Sequence, residues 1–511
     1  MILRLALRSL LTHPIRTLVL ACGFGLGVGV MAMLLGVGEV ILDQARSPAV
    51  SGGGDVVIAS STGDLPSARW ILSSALRTGG FERRVSAASP SRRATLYLVR
   101  NAKQGVGLGF SRADTATQNV GPGFSRANTL AIRVQGGIPS LERAIGDPET
   151  SSITSWTDAV LDAPWSSPDP GAALTALDRF HPIPDVPART ESWAEWLYFN
   201  GHAGDNRFYL TFLVGPKRAS GKRIAGVRLQ LDRAGQRSTY SHTQEVNEAD
   251  VLSSAPNLTI GSNRVRLDGM RYRITLDLPH DVASDVGSGV RSAVGPGFSR
   301  AVRRVTGDII IEASPGRALP PLEIRGAGGW VSGYVVPVMS GRLTGSLLVD
   351  GTPVVLDEGA GYHDHNWGFW KDVSWRWGQV HHGDLSFVYG RVHPPADAAD
   401  AERIPGFLAA IGPNGPVGYA TNVSIEETND PATGHPRSIT VTGRSSSLDV
   451  AMGLTVDDAI VTKRGAGLFG DEQDFLQLRA RYRVRGRAGD RSIDFTASGA
   501  AETFRGLRRS P

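Results

Sequence analysis

Between residues 361 and 382 the chain gathers groups that can move a proton among rings that exclude water. The run Gly361-Tyr362-His363-Asp364-His365-Asn366-Trp367-Gly368 is followed by Trp370, Trp375, Trp377, His381 and His382. Four of the ten tryptophans lie between 367 and 377, and five of the eleven histidines between 363 and 393. Aromatic walls with a few ionisable groups are the usual make-up of a ligand site. Successive side chains of a strand face opposite ways. His363, His365 and Trp367 then share one face, and Tyr362, Asp364 and Asn366 the other. The second face offers a carboxyl whose pKa rises on burial among aromatics, so that it can serve as a general acid at neutral pH. Tryptophan faces can stabilise a cation formed beside it. The first face offers imidazoles that can position that acid or orient a water. His363-x-His365 with His381 or His382 can also bind a divalent metal, but no carboxylate spacing sharpens that reading and no metal is assigned. A structural role stays open too, because Asp, His and Asn at strand ends often satisfy buried backbone groups.

The elements around this segment must be built from 511 residues, enough for two to four domains. Charged residues make up 20 % and hydrophobic ones 41 %, as in a chain with a core. The 62 glycines and 30 prolines suit a turn-rich β protein better than long helical bundles. Net charge is only +5 and no Lys/Arg block marks a nucleic-acid groove, so nucleic acid is excluded as a partner. Cys22 is the only cysteine, which rules out an intrachain disulfide and a cysteine-built zinc site.

Thr17 to Gly38 form an uncharged run of 22 residues. As a helix it would span about 33 Å, enough to cross a bilayer. Arg4, Arg8 and Arg16 precede it and the first acid, Glu39, follows, which places the start of the chain in the cytoplasm and the rest outside. A cleaved signal peptide fits less well, since no A-x-A site is clear. Val19-Leu20-Ala21-Cys22 resembles a lipobox only loosely, because the longer apolar stretch follows it. Residues 3–58 resemble the first membrane helix of MacB-type ABC exporter permeases. No second long apolar run follows residue 45, so the chain cannot form a transport path alone.

An octapeptide recurs as VGLGFSRA at 106–113 and VGPGFSRA at 120–127 and 294–301. Its irregular spacing is not a solenoid period, and its composition suits exposed loops, so 101–128 and 283–303 are expected to protrude or lack order. Ala94 to Val99 reads as a strand. Prolines at 164, 168, 170, 182, 184 and 187 suggest an extended linker or strap ending near 188. After 188 short strands alternate with turns, with Asp350-Gly351 as a two-residue hairpin turn and no long amphipathic helix.

Three stretches within 190–507 resemble one family. Glu191-Ser192-Trp193-Ala194-Glu195-Trp196-Leu197-Tyr198-Phe199-Asn200-Gly201 resembles the opening strand of the two-domain lipocalin-like family of carotenoid 1,2-hydratases (hydroxyneurosporene synthases) and AttH-type proteins. The 361–368 run resembles its signature at the start of the second barrel, and Ala500-Ala501-Glu502-Thr503-Phe504-Arg505-Gly506 its last strand. Leu197 departs from the family, which often has an aromatic there, and the octapeptide at 294–301 interrupts the first barrel. The resemblance implies an all-β fold of tandem lipocalin-like (calycin) β-barrels, preceded here by the transmembrane helix. The expected parts are an anchor at 1–45, an irregular region with inserted repeats at 46–187, a first barrel at 188–350 and a second at 351–511 that carries the signature.

The resemblance also implies a role for Asp364. Hydrating a trisubstituted alkene needs an acid that makes a tertiary carbocation and a water that captures it. Asp364 inherits the acid's position, with His363, His365 and Tyr362 beside it. Glu195, Trp196, Tyr198, Trp367, Trp370, Trp375, Trp377, His381 and His382 are the expected ligand contacts. The expected protein is anchored by a single pass in the inner (cytoplasmic) membrane, with its barrels facing the periplasm or exterior. It binds an isoprenoid or lipid, needs no cofactor, and either adds water across a C=C bond as a hydro-lyase or only binds. The alternative is a non-catalytic accessory or cargo-binding subunit partnering an ABC exporter.

Overall fold

The computed structural model describes residues 15, 58, 68, 72, 85–100, 106–109, 129–145, 159–160, 169–281, 303–314, 316–413, 415–464 and 473–506. The apolar segment 17–38, with its resemblance to an exporter helix, lies outside them. Among the described residues no helix is long and apolar enough to cross a membrane. The chain divides into two compact units, Met1–Leu65 with Ala87–Ser166, and Pro66–Ser86 with Ser167–Pro511.

In the first unit β1 (Ser91–Arg100) lies between β2 (Val106–Gly109) and β3 (Thr129–Gly137) in an antiparallel sheet. β2 belongs to the first octapeptide copy, so that part of the copy is paired with β1 rather than protruding. The other two copies lie outside the described residues. Helix α1 (Pro139–Ala144) follows, and its Glu142 accepts a hydrogen bond from Ser89 Oγ at 2.7 Å.

The proline-rich stretch before 188 holds a helix, α2 (Pro170–Leu177). Asp169 caps it by accepting from the Ala172 N–H at 2.7 Å. Pro170 occupies the first turn, where a missing N–H costs nothing. Leu174 and Leu177 bury in the same core as the strands that follow. The compact unit therefore starts before α2, earlier than the expected boundary.

Twelve strands among the described residues form the first large sheet. They are β4 (Trp193–Ala203), β5 (Asn206–Lys217), β6 (Arg223–Arg233), β7 (Gln236–Val246), β8 (Leu258–Ile260), β9 (Asn263–Asp268), β10 (Arg271–Pro279), β11 (Arg304–Glu312), β12 (Leu319–Arg325), β13 (Val331–Val349), β14 (Thr352–Val355) and β15 (Gly359–Phe369). Their order is β7-β6-β5-β4-β15-β13-β11-β10-β9-β8, with β12 and β14 paired to β13. A bridge between Tyr240 and His280 brings the β7 edge back to the end of β10, so the sheet curls into a nearly closed barrel. Asp350 and Gly351 take φ of 50° and 84° and join β13 to β14, as the turn chemistry requires. The longest described helix of this region is α3 (Glu248–Ser254), of seven residues.

Nine strands form the second sheet: β16 (Ser374–His382), β17 (Leu385–His393), β18 (Phe407–Gly412), β19 (Gly415–Ala420), β20 (Asn422–Asn429), β21 (Pro436–Arg444), β22 (Leu448–Arg464), β23 (Gln473–Ala488) and β24 (Arg491–Gly506). Its edges are β19 and β20, which Thr421 alone joins, so this sheet also curls on itself. The protein is all-β in its main unit, with two barrel-like sheets in tandem. The signature strand β15 does not start the second barrel. It pairs with β4 and β13 and completes the first, and the change of sheet falls at 370–373. Sequence adjacency to β16 suggested otherwise, but the ladder returns β15 to a strand that lies far earlier in the chain.

Candidate active site between two barrels

β15 is central, with β4 and β13 on either side, and almost every residue of β4 is buried. Both faces of this part of the sheet are covered, one by the barrel's interior and the other by the second barrel. This explains why β4 is mostly apolar and aromatic, with its polar Glu195 and Asn200 buried along with the rest. The pleat of β15 then divides the signature into two groups.

Asp364 belongs to the outer group. It opposes Tyr198 in the ladder. Tyr362 donates its O–H to Asp364 Oδ2 at 3.0 Å, and Asn366 donates from Nδ2 to Oδ1 at 2.7 Å. Behind Tyr362, the Trp377 indole N–H donates to the Tyr334 hydroxyl at 2.8 Å, and Tyr334 lies 2.8 Å from the Tyr362 hydroxyl. Among the described residues, side chains alone hold the carboxyl. Burial pushes its pKa well above the usual carboxylate range, and the Glu502 charge adds to this against the opposing hydrogen bonds. Each oxygen keeps a further lone-pair direction where an acid proton can sit.

Asp364 lines a cavity of about 280 Å³ at the seam of the two barrels. The first barrel supplies Trp196 and Tyr198 from β4, Tyr334 from β13 and Asn366 from β15. Trp370 comes from the connection between barrels, and its indole N–H donates to the Ala194 carbonyl at 2.8 Å. The second barrel supplies Trp375 and Trp377 from β16, Phe475 from β23 and Glu502 from β24. Trp375 stacks on Phe504 with ring centres 4.1 Å apart. Such a chamber can hold an apolar ligand, offer it a proton, and surround a nascent cation with aromatic faces.

The inner group faces the interior of the first barrel. Asp178, just beyond α2, accepts from Tyr272 O–H at 2.9 Å, and lies 3.1 Å from His363 Nε2 and 2.8 Å from His365 Nδ1. His365 Nε2 is 3.0 Å from Glu195 Oε1, and Glu195 lies 2.7 Å from His181 Nδ1. Burial alone would lower the His365 pKa, but its hydrogen bonds to Asp178 and Glu195 win and push it up to about 9. Burial likewise opposes ionisation of Asp178 and Glu195, yet the histidines hold both carboxyls below their usual range. Packing is close, with His363 stacked on Phe199 at 4.1 Å and Trp367 on His181 at 4.3 Å.

The expected site residues therefore separate. Asp364, Trp196, Tyr198, Trp370, Trp375 and Trp377 meet at the cavity, and Tyr362 stands directly behind Asp364. His363, His365, Glu195 and Trp367 lie on the opposite side of the sheet, in the Asp178 cluster. His381 and His382 are elsewhere: His381 Nδ1 is 3.0 Å from Ser386 Oγ, and His382 stacks on Phe495 at 4.5 Å. His363 and His365 are engaged with carboxylates and a carbonyl, and no group of three or more His, Cys, Asp or Glu side chains among the described residues is arranged to hold a metal. Sequence reasoning missed Asp178, His181, Tyr334 and Glu502. Only Glu502 left a trace, in the alternation of Ala500, Glu502 and Phe504 along one strand face.

No family model matches the chain, and a search of curated proteins gives no match. Solved structures similar to it include a protein assigned as AttH from Nitrosomonas europaea, with 14 % identity, 61 % of this chain and 92 % of that chain covered, and a TM-score of 0.38. Kievitone hydratase from Nectria haematococca aligns with 13 % identity over 63 % of this chain and 93 % of its own, with a TM-score of 0.39. CghA with Sch210972 aligns with 12 % identity over 66 % of this chain and 95 % of its own, with a TM-score of 0.40.

Proposed function

We propose that the inter-barrel cavity binds an apolar, unsaturated ligand of the isoprenoid or lipid class, and that Asp364 adds a proton to its C=C bond so that water can follow. One observation carries this reading: a buried carboxyl with a raised pKa, held only by side chains, on the wall of an aromatic cavity. A carboxyl serving only to tie strands together would bond backbone groups and face no chamber.

In the proposed reaction the Asp364 proton passes to the less substituted alkene carbon and leaves a tertiary cation. Trp196, Trp370, Trp375 and Trp377 surround that charge with π faces. Tyr362 and Asn366 then stabilise the carboxylate left behind, since charge-assisted hydrogen bonds strengthen as the acid ionises. Water captures the cation and gives the tertiary alcohol. An anchor formed by 17–38 in the cytoplasmic membrane, with the barrels outside, would bring the cavity near ligands that live in a bilayer.

The test is native mass spectrometry of detergent-extracted protein, with analysis of co-purifying lipid, for wild type and Asp364→Asn. The hydratase reading expects an unsaturated isoprenoid that accumulates unhydrated in the variant while wild type carries the hydroxylated form. The same lipid unchanged in both would make the protein a carrier. No apolar ligand in either would sink the cavity reading.

A further inference from the structure

The second barrel brings a carboxyl group of its own to the cavity that Asp364 lines. Glu502 lies on β24 between Ala500 and Phe504, which share its face and bury in the inter-barrel core. Its ladder neighbours are Trp377 on β16 and Gln477 on β23. Glu502 and Asp364 line the same cavity. Tyr198 links the two walls. It opposes Asp364 in the first barrel's ladder, and its ring meets that of Trp377 edge-on at 6.2 Å. Burial pushes its hydroxyl pKa well up, and the Glu502 and Asp364 charges both add to that.

Hydration needs two proton transfers, one to carbon and one away from the captured water. Two carboxyls on one cavity can divide these duties, one giving its proton to carbon and the other taking a proton from water. Burial and the Glu502 charge both favour the protonated form of Asp364. We propose that Glu502 is the general base, taking the proton from the water that captures the cation, so that the reaction draws one carboxyl from each barrel.

This rests on the hydratase reading above. The balance is complete without a further reactant. The Asp364 O–H bond breaks and a C–H bond forms. The water oxygen then forms a C–O bond while one of its O–H bonds breaks, and that proton goes to Glu502. The cycle ends with Asp364 ionised and Glu502 protonated, and a proton passing back between them through Tyr198 or a water restores the start.

The test uses the full chain with farnesol, a trisubstituted isoprenoid alcohol, in deuterium oxide. Wild type, Glu502→Gln, Glu502→Asp and Asp364→Asn are compared, with each melting curve confirming a folded protein. Wild type should give hydrated product bearing deuterium on carbon. Glu502→Gln should lose about a hundredfold in hydration, the usual worth of one acid–base group, yet return farnesol that carries deuterium, because Asp364 still protonates the alkene and reclaims the proton. Glu502→Asp should recover part of the rate, and Asp364→Asn should lose both hydration and exchange. Hydration by Glu502→Gln at the wild-type rate would overturn the assignment. So would a folded Glu502→Gln that loses exchange together with hydration, since Glu502 would then serve Asp364's step. A wild type that neither hydrates nor exchanges would sink the hydratase reading and this inference with it.

Discussion

At the scale of single residues, Asp364 is kept at a cost to the fold. Its folded pKa lies above the ordinary carboxylate value, with burial the leading cause. The folded state then binds more protons than the unfolded state across the interval between the two values, so this group lowers stability as pH rises through that interval. Asp364→Asn removes the ionisable group and leaves a side chain of the same shape. It should melt at a higher temperature than wild type at neutral pH, and the gap should shrink as the pH falls toward the ordinary carboxylate range. Hydration should meanwhile fall by about a hundredfold or more. Stability gained as activity is lost is expected of a functional carboxyl, whereas a strand-tying Asp would lose stability. In wild type the acid form is the active one, so the rate should drop as pH rises through the raised pKa. Calorimetric melting curves and a pH–rate profile read both effects.

At the scale of elements, α2 and the segment after it pin the first barrel from within. Asp178 meets histidines that stand 185 and 187 residues later in the chain. Asp178→Ala would leave His365 beside Glu195 alone and both histidines without their shared carboxylate. Breaking a buried pair in this way costs about 3–5 kcal/mol, which a urea titration would register as an earlier midpoint. His365 also makes stability depend on pH, with a definite sign. Its pKa rises from 6.5 to about 9 on folding, so its contribution is complete below 6.5 and fades as pH rises through about 9. Urea midpoints of wild type should decline over that range, and those of His365→Gln should not follow the same curve. The sequence showed the two faces of β15, because alternation follows from the pleat. It could not show which face met the cavity, since both are buried and periodicity is silent there. Nor did it show Asp178. Asp169-Pro170 is a legible helix start, but the prolines crowded around it favour an extended strap on composition alone.

At the scale of the whole molecule, the tandem all-β architecture was legible from short strands and turn residues after 188, while the seam was not. The seam is set by β15 pairing back to β4, a long-range contact with no local signature. It matters because the cavity exists only where two barrels meet, and the packing implies that the meeting is strong. One hydrophobic cluster runs from the first barrel's interior through the tryptophans to Ala500 and Phe504 of β24, and the second barrel's interior forms a separate cluster. Trp375 lies at the crossing. Besides its stack on Phe504, its ring lies 6.1 Å from Trp196, 5.6 Å from Trp370 and 6.0 Å from Phe475. Truncating a fully buried ring costs about 3–5 kcal/mol; Trp375 is half-buried, so the loss is smaller, and it falls on the seam rather than on either interior. Wild type should therefore unfold its two barrels in one calorimetric transition. Trp375→Ala should divide that transition in two, because each barrel keeps its own packed interior while the coupling between them drops. A single transition merely shifted to lower temperature would mean that the second barrel cannot stand without the first. Two transitions already present in wild type would mean that the seam couples the barrels weakly, and that the cavity can open by parting them.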